Sequence, residues 1–241
     1  MTSSMASYSA VGRRRNNEDS LYVGLDDARI VAIVADGLGG HANGEYASRE
    51  AAEVIPRLLT GHPLSEDLLE DAVLSAHEAV LALHAQQKDA LTTVAVLWTD
   101  GKTALAAHVG DSRIYQLRGD QILYQSTDHS MSQLAVMAGD IRPEQIRGHK
   151  DRNKLIRVVG GQQEPRVDIH ELRAEPGDRF LLCSDGFWEQ LTEPTMLRLA
   201  AGSPDAEAWL AAMRAIAEPA ASDNNTAVAV VLGDPTPGDE I

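Results

Sequence analysis

Cysteine is nearly absent. Cys183 stands alone, so no internal disulfide can form, and the chain suits a reducing compartment. Positive charge is scarce too: 21 Lys and Arg stand against 36 Asp and Glu, for a net charge of −15. That deficit argues against a nucleic-acid partner, because phosphate backbones are held by basic patches that release counterions. The one basic run, Arg13-Arg14-Arg15, is too short to reverse it. No apolar run approaches the roughly 18 residues of a membrane-spanning helix. The first residues, MTSSMASYSAVGRRR, lack the apolar segment of a signal peptide. The expectation is a cytoplasmic protein with no membrane partner. No Pro/Ser/Gly-rich linker, internal repeat or low-complexity tract interrupts the middle. One domain is therefore expected over 8–232, with a loose polar tail at 233–241.

What is present reads as alternating blocks of strands and helices. Residues 20–25 and 29–35 form two strands around a turn at Asp26-Asp27, and the second, IVAIVA, is apolar on both faces. Ala47, Ala51, Ile55 and Leu58 recur at helical spacing from Gly44 to Leu59, with Pro56 as a potential kink. Ser65 caps a second helix carrying Leu69, Val73, Ala76, Val80 and Leu83 on one stripe. Strand-like runs follow at 91–98, 103–110, 112–118 and 121–125, with Asp100-Gly101 and Gly119-Asp120 as hairpin turns. Tight turns between consecutive strands mean antiparallel pairing. A short helix is expected near 131–138, then strands at LIRVV, VDIHELR and RFLLCSD, helices near 193–201 and 205–217, and a last strand at 226–232. Helices in pairs around antiparallel sheets give a layered α+β architecture.

The stretch RIVAIVADGLGGHANGEY (29–46) carries the first functional signal. A buried strand stops on Asp36 and loosens into glycine. A phosphate loop of a nucleotide triphosphatase needs Lys and Ser/Thr after Gly44, but Glu45-Tyr46 stands there. A dinucleotide-binding turn fits Gly37, Gly39 and Ala42, but it also needs a second parallel strand ending in an acid, and RLLTGHPLSED supplies none. A plain Asp-Gly turn and a metal-bearing strand end remain. The metal reading demands further carboxylates at other strand ends, and the chain has them. Asp185-Gly186 follows RFLLCS, Asp111 follows HVG, Asp223 opens DNNTAVAVVL, and Glu18-Asp19 precede the first strand. Such oxygen ligands suit Mg²⁺ or Mn²⁺, and no EF-hand spacing is present to suggest calcium.

GRRRNNEDS (12–20), VADGLGGH (34–41), HVGDSRIY (108–115), DHS (128–130), CSDGFWE (183–189) and DNNTAVAVV (223–231) occur in that order. Together they resemble the protein phosphatase 2C (PPM) family of metal-dependent serine/threonine phosphatases, in its compact bacterial form. The resemblance implies a four-layer α-β-β-α sandwich with two Mn²⁺ or Mg²⁺ ions at one end. It implies that Asp36 bridges both ions, that the Gly37 carbonyl serves the second, and that Asp185 and Asp223 serve the first. Glu18 and Asp19 match the pair that holds the ions' waters. Asp111 matches the acid that, with Asp185, can take a third, weaker ion. Arg14 matches the arginine that binds substrate phosphate, with Arg13 and Arg15 left as surface. His41 matches either the general acid or a residue that orders its longer loop. The physics suits these roles. Paired metals acidify water and clamp displacement at phosphorus, a guanidinium grips two phosphate oxygens, and glycines at 37, 39 and 40 clear the approach.

A cysteine-phosphatase loop, C-x₅-R, is excluded because Glu189 stands where arginine is needed. Cys183 reads as a small buried strand residue, His77 and His84 as surface or packing residues, and Met131 and Met137 as packing. Two departures from the family pattern are Glu189, where aspartate is common, and Lys150, which replaces a proline in the bacterial His-Pro-x-Arg-Asn pattern. The resemblance implies hydrolysis of phosphoserine and phosphothreonine on protein substrates, opposing a serine/threonine kinase, in some relatives within type VI secretion. The alternative is a non-catalytic phosphoprotein-binding regulator on the same fold.

Overall fold

The computed structural model describes residues 3–26, 29–38, 43–87 and 89–233. Its strands are β1 (Ser4–Ala10), β2 (Asp19–Asp26), β3 (Arg29–Leu38), β4 (Leu91–Thr92), β5 (Val94–Thr99), β6 (Thr103–Val109), β7 (Arg113–Arg118), β8 (Gln121–Gln125), β9 (Asp168–Arg173), β10 (Arg179–Cys183) and β11 (Asn225–Val231). Its helices are α1 (Gly44–Leu59), α2 (Glu66–Leu83), α3 (Met131–Met137), α4 (Asp185–Trp188), α5 (Glu193–Ala201) and α6 (Ala206–Ala220). One sheet runs β1-β11-β10-β7-β8, the other β2-β3-β5-β6-β9, with β4 paired to β3. All named pairs are antiparallel.

The period of two along β3 explains its unbroken apolar run. Ile30, Ala32 and Val34, with Leu97 of β5 beside them, face the opposing sheet, where Ile114, Phe180, Leu182 and Val228 meet them. Val31, Ile33 and Ala35 face outward against Ala47, Ala51 and Ile55 of α1 and Val73 and Val80 of α2. On the other flank, Leu181, Cys183 and Ala229 pack against Trp188, Met196, Trp209 and Met213. These clusters are the gaps of an α-β-β-α sandwich. Each large side chain buried there is worth about 1.5–3 kcal/mol over exposure.

Local chemistry sets the helix ends. Ser65 accepts from the Leu68 N–H at 3.2 Å and Asp205 from the Ala208 N–H at 2.8 Å, capping α2 and α6. Pro56 does not shorten α1. It sits in the last turn, and the Thr60 N–H still reaches its carbonyl at 3.0 Å.

Several expectations change. SMASYSA, whose first residues are uninformative as sequence, forms β1, with Ala6 and Tyr8 turned into the core and alternating with exposed Ser7 and Ser9. LIRVV makes no strand. Its ladder contacts are isolated bridges, Ser130 with Leu155 and Thr92 with Val159. Asp185 does not end β10 but opens α4 after Cys183. Pro143–Gly148, within the polar segment after the expected short helix, is a 3₁₀ helix. Met131 and Met137 are exposed rather than packed. The tail at 234–241 lies outside the described residues.

Candidate active site

The two-residue alternation that buries Val34 between the sheets puts Asp36 on the same side, at the end of β3. Asp19 opens β2 directly opposite Asp36 in register. Asp111 lies in the β6–β7 turn, Asp185 just past β10, and Asp223 just before β11. These antiparallel strand ends share one edge. The result is a cavity of about 490 Å³ whose lining includes Arg14, Glu18, Asp36, Gly37, Asp111, Asp185 and Asp223. Asp19 is buried beneath it. His41 lies outside the described residues, as do Gly39 and Gly40.

So many carboxylates together distort one another. Burial first, then Asp19, Asp185, Asp111 and Asp223, hold the Asp36 carboxyl well above the usual range. Burial and then Asp185 do the same to Asp111. Burial, followed by Glu189 and Asp223, pushes Asp185 up to about 7. Burial pushes Asp19 up to about 6, even though the Ser184 hydroxyl donates to it at 2.8 Å. Glu18 is raised, again chiefly by burial. The cause in every case is the cost of desolvated negative charge beside more negative charge.

The donor set fits a hard divalent cation. It consists of carboxylate and carbonyl oxygens. Asp19 Oδ1 is buried without a hydrogen-bond partner, an oxygen that a cation or its water would satisfy. Arg14 lines the cavity, with one guanidinium nitrogen 2.5 Å from Asp223 Oδ2. That bond raises the guanidinium's pKa further.

The glycines of the two Asp-Gly pairs have a packing reason. A Cβ at Gly37 would lie 2.3 Å from the Gly44 carbonyl oxygen and 2.5 Å from that of Glu18. One at Gly186 would lie 2.1 Å from the Asn224 carbonyl oxygen. For Gly37, close approach of backbone to backbone is the constraint, rather than clearance for a phosphoryl group as expected from the sequence.

Sequence reasoning missed the residues that hold the ligand-bearing turns. Thr93 Oγ1 accepts from the Asp36 N–H at 3.0 Å and lies 2.7 Å from Ser112 Oγ, tying the Asp36 turn to the Asp111 turn. Asn224 accepts from the Glu18 N–H at 2.8 Å and donates to the carbonyls of Val11 and Asn16 at 2.9 and 2.8 Å. It thereby fixes the segment that carries Arg14. Asn153 and Leu155 also line the cavity. Arg152 pairs with Glu189, joining the 148–153 segment to α4. The Asn-Asn after Asp223 and the Thr-Thr before β5 were visible signals of buried side chains that serve backbone.

The chain matches the family described as protein phosphatase 2C over residues 8–231. It belongs to the protein phosphatase 2C family. A curated relative, the serine/threonine protein phosphatase PstP of Mycobacterium tuberculosis, is 36% identical over 191 residues. That alignment covers 76% of this chain but 36% of PstP, so the chain spans about a third of that relative's length. The solved catalytic domain of PstP in complex with two manganese ions superposes with a TM-score of 0.83 at 30% identity, covering 96% of this chain and 99% of that one. PppA of Pseudomonas aeruginosa, described as a key regulatory component of its type VI secretion system, gives a TM-score of 0.77 at 28% identity, covering 96% and 98%. The four-layer sandwich expected from the sequence is the fold this family shares.

Proposed function

We propose that this protein phosphatase 2C member hydrolyses phosphoserine and phosphothreonine on protein substrates, with two Mn²⁺ or Mg²⁺ ions and room for a third, weaker one. The observation that carries the reading is the convergence of Asp19, Asp36, Asp111, Asp185 and Asp223 at the edge of one cavity that Arg14 also lines. Asp36 would serve both ions, Asp185 and Asp223 the first, and the Gly37 carbonyl the second. Glu18 and Asp19 would act through water, and Asp111 with Asp185 would hold the third. When bound, the ions supply Lewis-acid activation of water and neutralise charge at the phosphate.

The chain's own residues do the rest. Arg14 presents a planar pair of donors to two phosphate oxygens, and the incoming phosphate takes over a guanidinium now shared with Asp223. Carboxyls with raised pKa bind protons in competition with a cation, which would displace those protons to solvent, so metal affinity would rise with pH. His41 would act as the proton donor to the leaving oxygen or order its own loop. The domain would cover 8–232 with β1 added.

The opposing partner would be a serine/threonine kinase, and the likeness to PppA favours a type VI secretion setting. Among the described residues no helix is long and apolar enough to cross a membrane, in keeping with a cytoplasmic location. The complete carboxylate set counts against a non-catalytic regulator. The deciding experiment is phosphate release from a phosphothreonine peptide with Mn²⁺ and with EDTA, for wild type and Asp36→Asn. Metal-dependent release that collapses in the variant is expected. No release from folded, Mn²⁺-loaded wild type would overturn the reading.

A further inference from the structure

The DHS stretch at 128–130 is the one motif left without a task by this chemistry. In the structure it brackets Asp111. His129 grips Gly110, the residue before Asp111, at two points. Its backbone N–H donates to the Gly110 carbonyl at 2.9 Å, and its ring Nδ1 accepts from the Gly110 N–H at 3.1 Å. On the other side of Asp111, Asp128 accepts two bonds from the Arg113 guanidinium at 2.8 and 2.7 Å. Arg113 stacks 3.5 Å from the Trp188 ring, whose indole N–H donates to the Asp111 carbonyl at 3.0 Å. Asp128, His129 and Arg113 are all buried. Gly110 has φ +106°, and a Cβ there would lie 2.6 Å from Thr93 Cγ2. The bend before Asp111 is thus a backbone state open to glycine, and glycine is the residue with the most freedom to leave it. An outside grip is what keeps it.

The second ring nitrogen anchors the grip. With Nδ1 occupied as an acceptor, the neutral ring carries its proton on Nε2, which lies 3.0 Å from Asp168 Oδ2. Asp168 in turn accepts from Arg157 at 2.9 Å. His108 stacks on His129 at 4.5 Å between centroids and donates through Nε2 to the Thr127 carbonyl at 2.8 Å. The donor atoms of His108, His129 and Asp168 fall within 4.8 Å of one another, close enough for a metal ion. The hydrogen bonds oppose one. His129 has no lone pair to spare, and Arg157 Nη1, 3.0 Å from Nε2, already puts positive charge there.

We infer that His129 is a positioning residue: through the Gly110 bend it sets where the Asp111 carboxylate points, and through Asp168–Arg157 it ties that setting to the 153–157 segment, whose Asn153 and Leu155 line the cavity. This rests on the reading of Asp111 as a metal ligand. It assigns the DHS motif to the weakest ion rather than to substrate.

Two substitutions separate the halves of the grip. His129→Asn keeps an oxygen near the Nδ1 position, so it still accepts from Gly110 and lets go of Asp168. His129→Gln reaches Asp168 and gives up the side-chain bond to the Gly110 N–H, keeping only the backbone bond to its carbonyl. Mn²⁺ binding would be measured by calorimetry and by the paramagnetic resonance signal of free Mn²⁺, with Asp111→Asn as the reference for the ion that depends on Asp111. His129→Gln is expected to weaken that ion about tenfold or more, the usual scale for outer-shell partners, and leave the tighter ions unchanged. His129→Asn is expected to stay within about twofold of wild type on the same scale. If Asp111→Asn loses an ion and both His129 variants bind as wild type, or both weaken alike, the inference falls and the ligand reading stands. If Asp111→Asn itself binds as wild type, both fall.

Discussion

Replacing Asp185 by asparagine should make the metal-free protein more stable while destroying its metal response. Burial first, then the nearby charges of Glu189, Asp223 and Asp19, raise the Asp185 carboxyl from 3.8 to about 7. The folded value lies above the unfolded one. Stability tied to the proton is therefore fully present below about pH 4 and is lost as pH rises through about 7. At about 1.36 kcal/mol per unit, the loss above pH 7 has a ceiling of about 4 kcal/mol, since the neighbouring carboxyls share the burden. Asparagine has nearly the same shape and no charge to desolvate.

In EDTA at about pH 8.5, Asp185→Asn should melt above wild type by at most roughly 8–16 °C, on the basis of about 2–4 °C per kcal/mol for a domain of this size. At about pH 5.5 the gain should fall to about half, because the folded wild type then carries the proton while its unfolded chain does not. Saturating Mn²⁺ should reverse the order at the higher pH, since only wild type keeps its full ligand set. Differential scanning calorimetry at both pH values, with and without metal, reads all of this. A metal-free variant no more stable than wild type at pH 8.5 would refute the argument from charge. An equal gain at pH 5.5 would assign it to packing instead.

Arg14→Lys should raise KM for a phosphothreonine peptide by about tenfold or more, the loss of one charge-assisted bond, without moving the melting temperature. Its side chain is more than half exposed, so steady-state kinetics and a thermal melt separate the two effects. Gly186→Ala should destabilise the protein by about 2 kcal/mol or more in urea unfolding, because its methyl would sit 2.1 Å from the Asn224 carbonyl oxygen. Wild-type stability in that variant would show that the Asp-Gly pair is not held by this contact.

The layers were legible because burial leaves a periodic mark. Ala47, Ala51 and Ile55 at helical spacing and the two apolar faces of β3 each identify an element from its own residues. β1 left little mark, since SMASYSA is an edge strand that turns only Ala6 and Tyr8 into the core and is paired on one side only, to β11. LIRVV misled for the opposite reason: it is apolar enough for a strand but meets no partner ladder. Within the site, the carboxylates were visible because each sits beside a strand end. The tasks of Thr93, Asn224 and His129 were not, although Thr-Thr, Asn-Asn and DHS stand out in the sequence, because what these residues do is hold backbone far away in sequence. Asn224 holds Glu18 across 206 residues.

That separation has a consequence for the chain as it is made. Arg14 and Asp223 stand 209 residues apart, and β1 has no partner until β11 exists. Loop closure over such a span comes late and slowly. A growing chain is therefore predicted to be inert until its last strand docks, and one cut before Asn225 should show neither metal binding nor hydrolysis. On the proposed function, hydrolysis would report that the sandwich is made and folded through β11.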